Sequence, residues 1–262
     1  MEILVCAKRV PDTSENEIAL NDEGNDIERD DLVYSVNEPD NYAVEEALEI
    51  VERTGGTVTV VTVGGEDDEE ILRREMAMGA KEAALLSDDA FHGTDGRGIA
   101  SILAAFVKKR HYELILTGAQ ADDGAAQVGG MLAAMLDYPF ASLVTSIEVL
   151  DGGKLKISRE IEGGNKEFYE IDLPCVLSIQ TGINEPRYVG MRGIRQVASV
   201  PIPTLGAAEL GTNGSSSAAG AKVKRLDYFL PPLGKGAEML AGSQEEIIGK
   251  LIDLLKAKGG LK

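Results

Sequence analysis

The chain has 262 residues, 44% hydrophobic and 27% charged, with 44 acidic against 26 basic side chains and a formal charge of −18. That length buries one large core, or one core and a smaller appendage, and no run of about 18 apolar residues spans a membrane. A surface this acidic repels phosphate backbones and anionic lipid, so nucleic acid is not expected as a partner.

Ile3-Leu4-Val5-Cys6-Ala7 is a continuous apolar run, as in a parallel strand covered on both faces. The spacing of Ala43, Ala47, Leu48 and Val51 predicts a helix over 42–53, ended by Thr54-Gly55-Gly56. A β-branched strand is expected over 57–63 and a helix over 68–78, ended by Gly79. A short strand at 83–86, a helix over 98–109, a strand at 114–117, a helix over 124–136 and a strand at 141–144 follow. Such alternation predicts βαβ units: an α/β fold with a doubly wound, mostly parallel sheet and helices on both faces. The period then changes to two. Residues 154–158 and 167–171, around Glu162-Gly163-Gly164-Asn165, predict an antiparallel hairpin over 154–172, and Cys175 begins another buried strand to Ile179. Residues 211–221 read as a flexible linker. Beyond it an extended arm ends in a helix starting at Ser243, whose capping box is completed by Glu246. The apolar stripe Ile247, Ile248, Leu251, Leu254, Leu255 must be buried against its own core or a partner, and the sequence leaves both open. The organisation is thus one α/β domain over 1–210 and an arm over 211–262.

Three strand exits carry the residues suited to a ligand. The first is Gly118-Ala119-Gln120-Ala121-Asp122-Asp123-Gly124-Ala125-Ala126-Gln127-Val128-Gly129, where small residues admit a ligand to the backbone and a helix start offers N–H groups to a phosphate. It also reads as an ordinary polar βα loop. The second is Cys6-Ala7-Lys8-Arg9, two cations at a strand's carboxyl end. The third is Val63-Gly64-Gly65. A doubly wound sheet places such exits side by side. His92 and His111 read as surface residues, and no Ser/His/Asp or Cys/His order marks a nucleophile, so no catalytic residue is expected. Cys6 and Cys175 read as core residues of a reducing compartment, and two Cys with two His make no metal site. A strand that begins at once, without a basic or Arg/Ser-rich leader, makes the cytoplasm the expected location.

Several ordered motifs carry a family resemblance. Ile157-Ser158-Arg159-Glu160-Ile161-Glu162-Gly163-Gly164, Leu173-Pro174-Cys175-Val176-Leu177-Ser178 and Asn184-Glu185-Pro186-Arg187-Tyr188 resemble the signature of electron-transfer flavoprotein β subunits. Val5 to Asp12, Ala43 to Ala47, Met76-Ala77-Met78-Gly79-Ala80 and the loop at 118–129 are similar as well, so the likeness runs from about residue 2 to 200. The resemblance implies a nucleotide-binding subunit of a heterodimer. Its α partner holds the redox FAD. Ordinary members hold AMP in β; electron-bifurcating members hold a second FAD there and oxidise NADH.

Carried over by motif, the nucleotide contacts are Cys6, Ala7, Lys8, Asn37, Val63, Gly64, Gly118, Gln120, Asp123, Gly124, Ala125, Ala126, Gln127 and Val128. Glu160, Tyr188 and Met191 are the implied partner contacts, the last two in a recognition loop over 184–197, and the arm over 211–262 reaches the α subunit. The loop is one residue shorter than in bifurcating members. Ala119 and Gly130 replace their Arg and Pro, and Thr13 and Pro39 stand near positions where ordinary members present aromatics. The expectation is an AMP-binding electron carrier, not an enzyme, that serves acyl-CoA dehydrogenases of fatty-acid β-oxidation and a membrane quinone reductase. The alternatives are the bifurcating half-site and a stand-alone ATP-binding protein.

Overall fold

The computed structural model describes residues 1–121, 123–212, 216–232, 234 and 236–261. It forms two compact units: Met1–Ile18 with Arg29–Arg225, and residues 19–28 with the chain from Leu226 onward.

The first unit is built on β1 (Glu2–Cys6), β2 (Arg9–Pro11), β3 (Tyr34–Val36), α1 (Glu38–Thr54), β4 (Thr57–Val63), α2 (Glu69–Met78), β5 (Glu82–Leu86), α3 (Gly96–Val107), β6 (Leu114–Gly118), α4 (Val128–Leu136), β7 (Phe140–Leu150), β8 (Lys154–Ile161), β9 (Asn165–Asp172), β10 (Cys175–Ile179), α5 (Met191–Val197), β11 (Thr204–Leu205) and α6 (Ala207–Leu210). Nine strands form one sheet in the order β11-β5-β4-β1-β6-β10-β7-β8-β9, and β2 and β3 pair separately. From β11 to β7 the pairings are parallel; β7, β8 and β9 are antiparallel.

Alternate residues of the central strands feed two cores. Ile3, Val5, Val58, Val60 and Leu116 pack with Ala43, Val44, Ala47 and Leu48 of α1 and Leu72 and Met76 of α2. Leu4, Val61, Ile115 and Val176 pack on the other face with Ala100, Leu103, Ala104 and Val107 of α3 and Leu132 of α4. Both faces are covered, which is why the strands read as unbroken apolar runs. The order runs outward from β1 in two directions, so the switch in strand order lies between β1 and β6.

The structure differs from the sequence expectation in several boundaries. The helix expected from 124 begins at Val128, because Ala126 takes φ +54° and interrupts the helical run. The helix expected from 42 begins at Glu38, since Pro39 suits a first turn. The strand expected at 141–144 continues to Leu150; it changes from β10 to β8 as its neighbour around Leu143, which has φ +57°. β2, β3, β11, α5 and α6 had no clear signal in the pattern. Of the linker expected at 211–221, residues 213–215 lie outside the described residues. Ser216 is buried with its hydroxyl on Ser101 at 3.1 Å, and Asp95 accepts the Lys222 and Val223 N–H groups at 2.6 and 3.1 Å. Ser216 within the segment and Lys222 and Val223 just beyond it are thus bonded to α3 and its N-cap.

In the second unit, Leu20 bridges Ile27, and the Tyr228 N–H reaches the Gly24 carbonyl at 3.1 Å. Its helix, α7 (Gln244–Ala257), starts at the Ser243–Glu246 capping box expected from sequence. No α7 residue is buried, and Ile248, Leu251, Leu254 and Leu255 are exposed. Among the described residues, no helix is long and apolar enough to cross a membrane and no cluster of metal-ligating side chains occurs.

Candidate functional site

The exits of β4, β1 and β6 are neighbours at one rim of the sheet, beside the switch in strand order. Ala7 and Lys8 leave β1, the Ala7 N–H donating to the Val61 carbonyl of β4 at 2.9 Å. Asn37, just before α1, donates its N–H to the Lys8 carbonyl at 2.8 Å and its side-chain amide to the Gln120 carbonyl at 3.1 Å. Lys8 Nζ pairs with Asp123. Gln120 Nε2 reaches the Gly124 carbonyl at 3.3 Å. Ala7, Lys8, Asn37, Gln120, Asp123 and Gly124 are thus linked by hydrogen bonds and an ion pair, with Cys6 and Gly118 at the ends of the adjacent strands β1 and β6.

The remaining loop residues complete the rim differently. Residues 123–127 are exposed, and Ala126 turns the chain into α4. Among the described residues, the Gln127 side chain at the N-cap of α4 makes no capping hydrogen bond, and the first N–H groups of a helix have no partner within it by geometry. Gly129 lets α4 begin close to the sheet: a Cβ there would stand 2.6 Å from Ser178 Oγ and 2.9 Å from Thr117 Oγ1. Those two hydroxyls are buried and bonded to each other at 2.9 Å. The Gln127 side chain turns toward the start of α3, its Oε1 3.1 Å from where a Gly96 Cβ would sit.

At Val63 and Gly64 the loop is closed by β5 and by Asp68. The Gly64 N–H donates to the Leu86 carbonyl at 3.1 Å, and Asp68 accepts the Gly65 N–H at 2.7 Å. Burial pushes the Asp68 carboxyl up. Arg9 lies 3.8 Å over the Tyr34 ring and 4.0 Å from both Asp67 and Asp68. Burial also pushes the Cys6 thiol up, so it is no nucleophile.

A residue that sequence reasoning missed stands at the centre. Asp40 is buried in the first turn of α1 and accepts the Lys8 and Gly118 N–H groups. An acidic residue in a helix's first turn reads as dipole complement, so nothing local flagged it.

The expected partner contacts lie apart from this cluster. Glu160 is exposed on β8, opposite Lys166 of β9. Tyr188 is 92% exposed, and Met191, the first residue of α5, is 65% exposed. Two arginines hold this segment. Arg187 donates to Glu45 and Glu52 of α1, and Arg73 of α2 donates to the Val197 and Val200 carbonyls at 2.8 and 3.2 Å. His92 and His111 are exposed, as expected. A concave space of about 530 Å³, lined by Arg97, Ser101, Lys108 and Met135 among others, includes none of the rim residues. The rim is the stronger candidate because charge, backbone donors and the strand switch coincide there.

Comparison with known proteins agrees with this architecture. The model of the electron transfer flavoprotein domain matches residues 25–210. The chain is 35% identical over 260 residues to the electron transfer flavoprotein subunit beta of Methylophilus methylotrophus, covering 97% of this chain and 98% of that one. It is 34% identical over 260 residues to the protein of that name from Bacillus subtilis, covering 98% of each. With subunit CarD of the caffeyl-CoA reductase-Etf complex of Acetobacterium woodii it shares 38% over 263 residues, covering 98% and 99%.

Proposed function

From the fact that this chain belongs to the electron transfer flavoprotein family, on the β-subunit side, we propose that it binds AMP at the rim and serves as the structural half of an electron carrier. Its partner is an α subunit that holds FAD. The observation that carries this reading is the bonded cluster of Lys8, Asn37, Gly118, Gln120 and Asp123 beside the start of α4, where Gln127 makes no side-chain cap. A helix start with exposed loop backbone and a lysine suits one phosphate, and the Asn37 and Asp123 side chains suit the polar edges of a nucleoside.

The subunit performs no bond chemistry. When bound, the α-subunit FAD supplies the one- and two-electron steps. This chain positions the nucleotide, braces the flavin domain near Glu160 and the hairpin, and docks its electron donor through Tyr188 and Met191. Both are exposed on a segment that Arg187 and Arg73 hold in place. An acyl-CoA dehydrogenase fits as donor and a membrane quinone reductase as acceptor, with the heterodimer in the cytoplasm. Relatives named for caffeyl-CoA reductase and acryloyl-CoA reductase support redox partners that act on CoA thioesters. The exposed apolar stripe of α7 fits burial against the α subunit.

A second reading, a second FAD in place of AMP with hydride received from NADH, is favoured by Arg9. Next to Lys8 in the chain, it is a second cation at the β1 exit, 4.0 Å from Asp67 and Asp68, for which a pyrophosphate would compete. The visible spectrum and released nucleotides of the co-expressed heterodimer decide between them. One FAD and one AMP per heterodimer supports the first reading. Two FAD with bleaching by NADH replaces it with the second. A colourless, stable monomer that binds ATP refutes both.

A further inference from the structure

The rim contains a buried acid that the binding scheme does not use. Asp40 Oδ2 accepts the Lys8 N–H and Oδ1 accepts the Gly118 N–H, each at 2.8 Å. One carboxyl group thereby ties the exit of β1 to the exit of β6, the two strands that flank the switch. The fit is tight: a Cβ at Gly118 would lie 2.3 Å from Asp40 Oδ1 and 2.8 Å from Pro39 Cβ. The groups that face Asp40 are Cys6 from β1, Lys8 beyond it, Asn37 ahead of α1 and Glu75 from α2. Burial pushes its carboxyl up to about 7, against hydrogen bonds from Asn37, Gly118 and Lys8 and the Lys8 charge.

We propose that Asp40 is a positioning residue that clamps the two strand exits and takes up a proton as a nucleotide phosphate settles on the rim. The proposal rests on the nucleotide reading of this site. Phosphate and Asp40 are both anions, and a partly desolvated rim strengthens their repulsion. The phosphate raises the proton affinity of Asp40, so protonation removes one charge while the carbonyl oxygen keeps a backbone N–H. Linkage gives the sign. A complex that takes up one proton weakens by up to about tenfold per pH unit above the free-state range of Asp40, and is flat below it. The second ionisation of AMP, near pH 6, works in the opposite direction and is essentially complete by about pH 7.5.

The test is calorimetric titration of AMP into the heterodimer stripped of its nucleotide, from about pH 7 to about pH 9, in two buffers of different ionisation enthalpy. The expected result is a buffer-dependent heat that reports proton uptake, with affinity falling by up to about tenfold per pH unit. Asp40→Asn flattens the slope and removes the buffer dependence; Glu75→Gln, which changes the other buried acid facing Asp40, keeps both. Equal heats in the two buffers on the unmodified protein overturn the proposal, whether or not Asp40→Asn folds. A slope that survives Asp40→Asn and vanishes in Glu75→Gln also overturns it. AMP that fails to bind at any pH brings down the nucleotide reading itself, and this inference with it.

Discussion

Replacing Arg187 by Met removes the clamp between the docking segment and α1. Its guanidinium donates to Glu45 at 2.8, 2.9 and 3.0 Å and to Glu52 at 2.8 Å, while the Arg187 backbone N–H adds a fourth bond to Glu45 at 2.9 Å. The Glu45 side chain is 5% exposed and that of Arg187 is 35% exposed. Met keeps the backbone bond and the apolar stem but leaves a buried carboxylate without its cation. Removing one partner of a buried pair costs roughly 3–5 kcal/mol, and the solvent that reaches the arginine end lowers that to about 2–3 kcal/mol. For a chain of this size each kcal/mol moves Tm by about 2–4 °C, so Arg187→Met should melt about 4–12 °C lower. Adding Glu45→Gln removes the stranded charge and should recover more than about half of the loss. Scanning calorimetry on the heterodimer and its double-mutant cycle reads both numbers. A loss within about 0.5 kcal/mol of zero, or a double variant no more stable than Arg187→Met alone, refutes the assignment of Glu45 as a buried charge that depends on Arg187.

Three further outcomes follow from single positions. Gly118→Ala drives a Cβ into Asp40 and Pro39 and should strip the nucleotide from the purified complex, read as released AMP per heterodimer; full occupancy contradicts the packing. Glu75 is fully buried, neither carboxylate oxygen is bonded among the described residues, and burial pushes it from the ordinary 4.5 up to about 8. Because the folded-state value is raised, its stability contribution is whole below pH 4.5 and is lost as pH climbs toward 8, at about 1.4 kcal/mol per unit. Glu75→Gln should therefore gain on the parent in urea titrations as pH rises from 5 to 8, and a constant difference defeats the reading. Met191→Ala should slow dehydrogenase-dependent flavin reduction several-fold with flavin content unchanged, since deleting an exposed anchor removes about 1–2 kcal/mol of contact; unchanged rates remove Met191 from that role.

Periodicity exposed the central sheet because its strands are buried on both faces. Thr57–Val63 and Cys175–Ile179 are apolar or β-branched except for Ser178, and their bounds match the expectation. Period two exposed the hairpin for the opposite reason: Leu155 and Ile157 face a core while Lys154 and Lys156 face water. The start of α4 was not legible. Alanine around 125–126 suits a helix locally, and nothing in the pattern marks the left-handed Ala126 that delays it. α5 was missed because Arg192, Gly193 and Arg195 break any apolar stripe; it is held by α2 and by Arg73, not by its own pattern. The rim residues were legible as loops, but Asp40 was not, because its role depends on two N–H groups 32 and 78 residues away.

An accounting of donors narrows what the rim can hold. Backbone N–H groups at strand exits are obligatory donors, and each must be met by protein, ligand or water. At β1 and β6 Asp40 takes the Lys8 and Gly118 groups, and beyond β4 Asp68 takes that of Gly65. The Ala119 N–H goes to the Ile179 carbonyl at 2.8 Å. Among the described residues, the start of α4 has no side-chain cap at Gln127, the helix dipole adds positive potential there, and Lys8 stands beside it paired with Asp123. A phosphate is thus directed to the start of α4 and not onto the Lys8, Gly118 and Gly65 N–H groups, which Asp40 and Asp68 already occupy. All three exits have an N–H group taken by a carboxylate, and the one after β6 differs in leading to α4, whose N-cap side chain makes no capping bond.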